Sequence, residues 1–104
     1  MKTEDKYVFF YCDECHLLEA VITIFRQLHP DIDVHIFSNV DELISRTNEN
    51  VPEFILVYLS KPNHDFITAV KYIRENVNSA LVPVMIYRHL PDEKELKHLF
   101  KKIL

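Results

Sequence analysis

The chain has 104 residues, of which 48% are hydrophobic and 27% are charged, and its formal net charge is −4. These values are typical of a single globular domain spanning residues 1–104, and they provide no basic footprint for nucleic acid, which we exclude as a partner. The sequence contains no glycine, which excludes the glycine-rich loops that hold nucleotide phosphates.

The location of the protein follows from what the sequence does not contain. No basic stretch followed by an apolar segment opens the chain, and no apolar run reaches the length of a membrane span. We therefore expect a cytoplasmic protein that does not bind membranes. In that reducing compartment its two cysteines are expected to be thiols rather than a disulfide.

The first elements predicted along the chain are a strand, a helix and a second strand. Residues 6–12 form a nearly continuous apolar run, which is typical of a strand buried on both faces. Over residues 13–30 the apolar positions recur at helical intervals, and residues 33–38 again indicate a strand. Asn39 or Ser38 can cap the helix that follows.

The second half of the chain repeats this alternation. Apolar runs at residues 54–59 and 82–87 predict a third and a fourth strand, and helical spacing predicts helices over residues 65–77 and 92–104. The last helix begins with the spacing of a capping box. Buried strands alternating with helices predict an α/β three-layer sandwich around a parallel sheet, with right-handed crossovers.

Three segments of this pattern resemble the receiver domain of bacterial response regulators. They are FFYCDE at the end of the first strand, PEFILVYLSKP around the third strand and VPVMIYRH at the fourth strand. The resemblance implies a CheY-like sheet of order 2-1-3-4 and a role in two-component signal transduction. Because the chain ends before a fifth strand and fifth helix, we expect a truncated form of this fold.

Most residues that carry phosphotransfer in that family are replaced in this chain. The family has an acidic pair that binds Mg²⁺ after the first strand and an aspartate that accepts a phosphoryl group after the third. Asp13 matches the second acidic position and Glu14 the acidic residue that often follows, but Cys12 stands at the first and is a poor Mg²⁺ ligand. Tyr58 stands at the acceptor position, where a phenol cannot form an acyl phosphate.

Of the remaining family positions, one is kept and two are lost. Pro62 matches a proline found four residues after the acceptor, but Arg88 stands where the family has a threonine or serine. The lysine of the fifth strand has no counterpart. We therefore expect a pseudo-receiver that binds a protein partner, without aspartyl phosphorylation, enzymatic activity, metal or cofactor. The Arg88 guanidinium could pair with Asp13 and Glu14 in the space of the metal and phosphate.

The segment Cys12–His16 leaves other interpretations open. Its Cys-x-x-Cys-His pattern is that of a haem attachment site, but such a site needs export and a helical fold. A zinc site would need further ligands. The main alternative is a thioredoxin-like thiol oxidoreductase using Cys12 and Cys15, because a helix start lowers thiol pKa values. The thioredoxin-like fold requires an antiparallel hairpin that this sequence does not predict. We therefore favour the interpretation that Cys12 and Cys15 are small buried residues without a redox role.

The predicted four-strand sheet leaves its fourth strand at an edge, where an apolar strand is prone to pair with another chain. We therefore expect a homodimer through this strand and the last helix, unless a longer natural chain supplies a covering strand. The candidate interface residues are Val84, Met85, Ile86, Tyr87, Leu96, Leu99 and Phe100. A pocket lined by Tyr11, Tyr58 and Tyr87 at the strand ends is a further possibility.

Overall fold

The structure, a computed structural model, describes residues 6–61, 64–76 and 79–103. Its strands are β1 (Tyr7–Cys12), β2 (Asp33–Phe37), β3 (Ile55–Tyr58) and β4 (Val84–Tyr87). Its helices are α1 (Glu19–Leu28), α2 (Val40–Glu49), α3 (His64–Glu75) and α4 (Glu93–Ile103), and a short 3-10 turn (Cys15–Leu18) precedes α1. None of the described helices has the length and apolar character needed to cross a bilayer.

All strand pairs are parallel, and the order across the sheet is β2-β1-β3-β4. Helices α1 and α4 pack together on one side, and α2 and α3 pack together on the other. The predicted α/β class, sheet order and strand direction are therefore confirmed. Because β1 and β3 are parallel neighbours, the segments that follow them emerge side by side at one edge of the sheet.

An apolar core lies on each face of the sheet, because the central strands β1 and β3 are buried on both faces. The α1/α4 core consists of Val8, Phe10, Cys12, Leu18, Val21, Ile22, Ile24, Phe25, Phe54, Leu56, Tyr58, Leu96 and Phe100. The α2/α3 core consists of Phe9, Tyr11, Phe37, Leu43, Ile55, Val57, Leu59, Phe66, Ile73 and Val82.

The last helix lies against α1 rather than along an outer face of the domain. The ring centroid of Phe100 is 5.1 Å from that of Phe25, and Phe100 and Leu96 are both buried in the α1/α4 core. Leu99 is half-buried against the same core. Two residues of the expected partner surface, Leu96 and Phe100, therefore pack inside the chain, and any contact at this edge falls to β4.

The start of the first helix differs from the prediction of a helical segment running on directly from residue 13. A 3-10 turn occupies Cys15–Leu18, and the α-helix begins only at Glu19. No side chain caps the turn at Glu14, and Leu17 is 44% exposed rather than buried. A Cys12–Cys15 disulfide joins the end of β1 to the first residue of this turn.

The caps predicted for the second and fourth helices are present. The Oδ1 atom of Asn39 accepts a hydrogen bond from the backbone N–H of Glu42 at 3.1 Å. The Oδ1 atom of Asp92 accepts one from the backbone N–H of Glu95 at 2.8 Å. Each bond satisfies a donor that the first helical turn leaves without a partner in the helix.

Candidate functional site

The residues singled out from the sequence meet where β1 and β3 end. Cys12 lies opposite Tyr58 in the β1–β3 register, and Tyr58 lies opposite Tyr87 of β4. The backbone N–H of Asp13 donates to the carbonyl oxygen of Tyr58 at 3.4 Å. The β1–β3 ladder thus continues by one bond, which brings Asp13 beside the segment that leaves β3.

The carboxylate of Asp13 holds that segment. The backbone N–H of Ser60 donates to both carboxylate oxygens at 3.0 Å, and the Ser60 hydroxyl donates to Oδ2 at 2.9 Å. The backbone N–H of Lys61 also donates to Oδ2, at 3.2 Å. We call this set of bonds the Asp13 clamp. It joins the end of β1 to the start of the β3–α3 loop.

The clamp also sets the charge state of Asp13. Partial burial alone would raise the pKa of this carboxyl group, but hydrogen bonds from Ser60 and Lys61 favour the ionised form. The bonds outweigh burial, so the pKa of Asp13 lies below its ordinary value of 3.8. Asp13 is therefore an anion at neutral pH whose acceptor capacity is already in use.

Replacing Asp13 by asparagine should lower the free energy of unfolding at pH 7 by about 1 kcal/mol, because an exposed ionic hydrogen-bond acceptor is lost. The folded pKa lies below the unfolded one, so this contribution is present above the unfolded value and is lost as pH falls through the folded value. Urea unfolding at pH 7 and pH 3 measures the free energy of unfolding of native protein and D13N. The difference between the two proteins should be smaller at pH 3 than at pH 7. The control is Asp31→Asn, an exposed carboxylate, and equal effects of both variants would contradict the clamp.

The other charged residues named at this site do not join the clamp. The Oε2 atom of Glu14 lies 3.6 Å from Nδ1 of His16. Arg88 is exposed, and the ion pairs within the described ranges do not include it, so the expected pairing with Asp13 and Glu14 is not seen. Pro62 lies outside the described residues.

The two cysteines form a disulfide between the end of β1 and the 3-10 turn, and the expectation of two thiols was therefore wrong. The tight turn after β1 places the Cα atoms of Cys12 and Cys15 5.0 Å apart, within the range that a disulfide spans. Cys12 is fully buried in the α1/α4 core, whereas Cys15 is half-buried. The bridge encloses Asp13 and Glu14.

The described sheet does not favour the thioredoxin-like alternative. Every strand pair in residues 6–61, 64–76 and 79–103 is parallel, so the antiparallel hairpin that this alternative requires is not found there. The Cys-x-x-Cys disulfide of this chain therefore lies at the end of a strand in a parallel sheet, which is not the sheet of a thioredoxin-like fold.

The three tyrosines do not line one pocket. Tyr11 belongs to the α2/α3 core, where its ring stacks on Phe66 at a centroid distance of 5.1 Å. Tyr58 and Tyr87 contact the α1/α4 core on the opposite face. Successive side chains along a strand point to opposite faces of the sheet. Cys12 lies opposite Tyr58, so Tyr11, one residue earlier, points to the other face.

The site does not fit the Mg²⁺ ion that the family resemblance implies. Within the described residues, no group of three or more histidine, cysteine, aspartate or glutamate side chains is arranged to hold a metal ion. Cys12 is bonded to Cys15, and the Asp13 carboxylate accepts hydrogen bonds from Ser60 and Lys61. A hard cation prefers several oxygen ligands, and here the Asp13 carboxylate already accepts hydrogen bonds while that of Glu14 lies beside His16.

Ser60 is the site residue that the sequence analysis did not single out. It lies between the strand predicted over residues 54–59 and the helix predicted from residue 65, and it is the main partner of Asp13. A signal was available: a hydroxyl residue directly after an apolar strand, in a sheet whose neighbouring strand ends in an acid. Using that signal requires knowing that the strands before Asp13 and Ser60 are adjacent.

Comparisons with known proteins support the fold. No protein-family model matches the chain, and no curated protein is found to be similar to it. Among solved structures, a protein from Chloroflexus aurantiacus J-10-fl assigned as a response regulator superposes with a TM-score of 0.77 at 14% identity, covering 96% of this chain and 98% of that one. A response regulator from Desulfuromonas acetoxidans gives a TM-score of 0.66 at 18% identity, covering 93% and 77%. The chain therefore has the receiver-like fold of response regulators, as the sequence resemblance predicted.

Proposed function

We propose that the chain is a receiver-like signalling module that acts by binding a protein partner and is not phosphorylated on an aspartate. The observation that carries this proposal is the Asp13 clamp beside Tyr58. The one carboxylate at the strand ends that matches a metal-binding position is engaged by Ser60 and Lys61, and a phenol stands where the acceptor would be. The proposal covers the whole chain as one cytoplasmic domain that is not an enzyme.

The chemistry behind the proposal concerns charge. Transfer of a phosphoryl group to a carboxylate brings two anions together, and a metal ion or a lysine must offset their repulsion. Tyr58 is 8% exposed, and its phenol cannot form an acyl phosphate. The Asp13 carboxylate is already bound by the Ser60 and Lys61 amides. A surface formed around Asp13 and Tyr58 therefore suits permanent binding of a protein partner better than binding that is switched by phosphorylation.

Exposure to Mg²⁺ with acetyl phosphate should leave the protein without an acyl phosphate, because no aspartate stands at the acceptor position. Intact-mass analysis and borohydride trapping measure this directly. Amide NMR with Mg²⁺ and beryllofluoride should show no saturable shifts at Asp13, Tyr58 or Arg88. Saturable shifts that disappear in D13N, or a trapped acyl phosphate, would overturn the proposal.

We further propose that the first partner of β4 is a second copy of the chain. In the described residues β4 pairs with β3 on one side and with no strand on the other. Its residues Val84–Tyr87 carry no charge, and Ile86 is 51% exposed. The opposite edge strand, β2, includes the exposed carboxylate of Asp33, and a charged side chain of this kind discourages edge pairing.

A second copy fits this edge because the same strand related by a two-fold axis is complementary to itself. Two β4 strands would pair antiparallel, and Ile86 would meet its own symmetry mate or a close neighbour. Sedimentation equilibrium at micromolar concentration is the test. A species of twice the chain mass supports the dimer, and a monomer at all concentrations rejects it.

A further inference from the structure

The Cys12–Cys15 disulfide and the Asp13 clamp are parts of one covalent and hydrogen-bonded unit. The bridge closes a loop whose inner residues are Asp13 and Glu14, and the Asp13 carboxylate in turn binds Ser60 and Lys61. The bridge therefore closes the turn that carries Asp13, and Asp13 binds Ser60 and Lys61.

The two sulfur atoms differ in access. Cys12 is fully buried in the α1/α4 core, whereas Cys15 is half-buried at the start of the 3-10 turn. An external thiolate can therefore approach Cys15 rather than Cys12. The role of the bridge rests on the cytoplasmic location proposed above, where a disulfide is, as a rule, transient and used for catalysis or sensing. The parallel sheet does not favour a thioredoxin-like catalyst, which leaves a sensing role.

We propose that the Cys12–Cys15 disulfide is a thiol-exchange site whose redox state controls the Asp13 clamp, and through it the surface formed by Ser60 and Lys61. The reactant is a dithiol reductant. The oxidised form holds the turn and keeps Ser60 and Lys61 bound to Asp13. The reduced form frees the turn, so the hydrogen bonds of the clamp break more often and the Ser60 and Lys61 amides are exposed.

The exchange is balanced in atoms and electrons. A reductant thiolate attacks Sγ of Cys15, the sulfur–sulfur bond breaks, and Cys12 leaves as a thiolate that takes up a proton. The second thiol of the reductant then attacks the mixed disulfide and releases Cys15 as a thiol. The two cysteines gain two electrons and two protons in total, and the dithiol becomes a disulfide.

Hydrogen exchange of the isolated native chain, with and without dithiothreitol, tests the proposal. Reduction should raise the exchange rates of the Ser60 and Lys61 amides about fivefold, the factor expected from weakening one hydrogen-bonded contact. The amide of Val57, in the buried strand β3, is the internal reference and should not change. Alkylation of both cysteines after treatment verifies reduction.

The D13N variant separates the clamp from the bridge. Its Ser60 and Lys61 amides should exchange rapidly in both redox states, because the clamp is already lost. The inference is overturned if the native bridge resists dithiothreitol, if reduction leaves Ser60 and Lys61 unchanged, or if Val57 exchanges equally fast because the domain unfolds. It is also overturned if D13N responds to reduction as the native chain does. None of these results depends on the proposed protein partner.

Discussion

Replacing Phe25 by alanine is expected to lower the free energy of unfolding by about 4 kcal/mol. Phe25 is fully buried at the centre of the α1/α4 core. Its ring centroid lies 5.9 Å from that of Phe10, 5.7 Å from Phe54 and 5.1 Å from Phe100. Truncation removes the contacts that join α1 to β1, to the segment before β3 and to α4, and it leaves a cavity that these elements cannot all close.

The loss is a large part of the whole stability, since domains of this size unfold at a free energy of about 5–15 kcal/mol. Urea unfolding followed by far-UV circular dichroism measures it. The matched control is Leu81→Ala, because Leu81 is 96% exposed and its truncation should change stability by less than about 0.5 kcal/mol. Similar losses for both variants would contradict the description of this core.

Replacing Ile86 by lysine is expected to weaken self-association about tenfold or more. Ile86 is 51% exposed on β4 and shares the α2/α3 face of the sheet with Val84. Pairing of two β4 strands would bury it in both copies, and loss of that burial removes more than the 1.4 kcal/mol that corresponds to a factor of about ten. Two lysines close to a two-fold axis would also repel each other.

Analytical ultracentrifugation of native protein, Ile86→Lys and Ile36→Lys measures this effect. Ile36 is the matched control because it is 46% exposed on β2, the opposite edge of the same sheet. Dissociation by the Ile86 variant alone identifies β4 as the interface. Equal dissociation by both variants would place the contact elsewhere, and a change at Ile36 alone would assign it to β2.

The order of elements and the class of fold could be predicted because their signals are local. A strand buried on both faces appears as an unbroken apolar run, as in Tyr7–Cys12, and a helix against a sheet appears as apolar spacing of three and four residues. Asn39 and Asp92 could be identified as caps because a cap binds an amide only three residues away.

The candidate site could be predicted in position but not in its bonding. The family resemblance drew attention to Asp13 and Tyr58, and the register places their segments side by side. It did not predict that Ser60 would occupy the Asp13 carboxylate, or that Arg88 would be exposed. The Ser60–Asp13 hydrogen bonds and the exposure of Arg88 both depend on side-chain geometry across the sheet. The sequence offers several possible partners for Asp13 and does not say which of them lies within reach.

Residue pattern alone thus predicted an α/β chain with a parallel sheet, because burial period and residue type are properties of single segments. Folding in three dimensions decided the rest: the Cys12–Cys15 bridge, the packing of α4 on α1, and the clamp between Asp13 and Ser60, which are 47 residues apart. Such contacts depend on which strands are neighbours and on how tightly a turn closes. That information arises only when distant segments pack together.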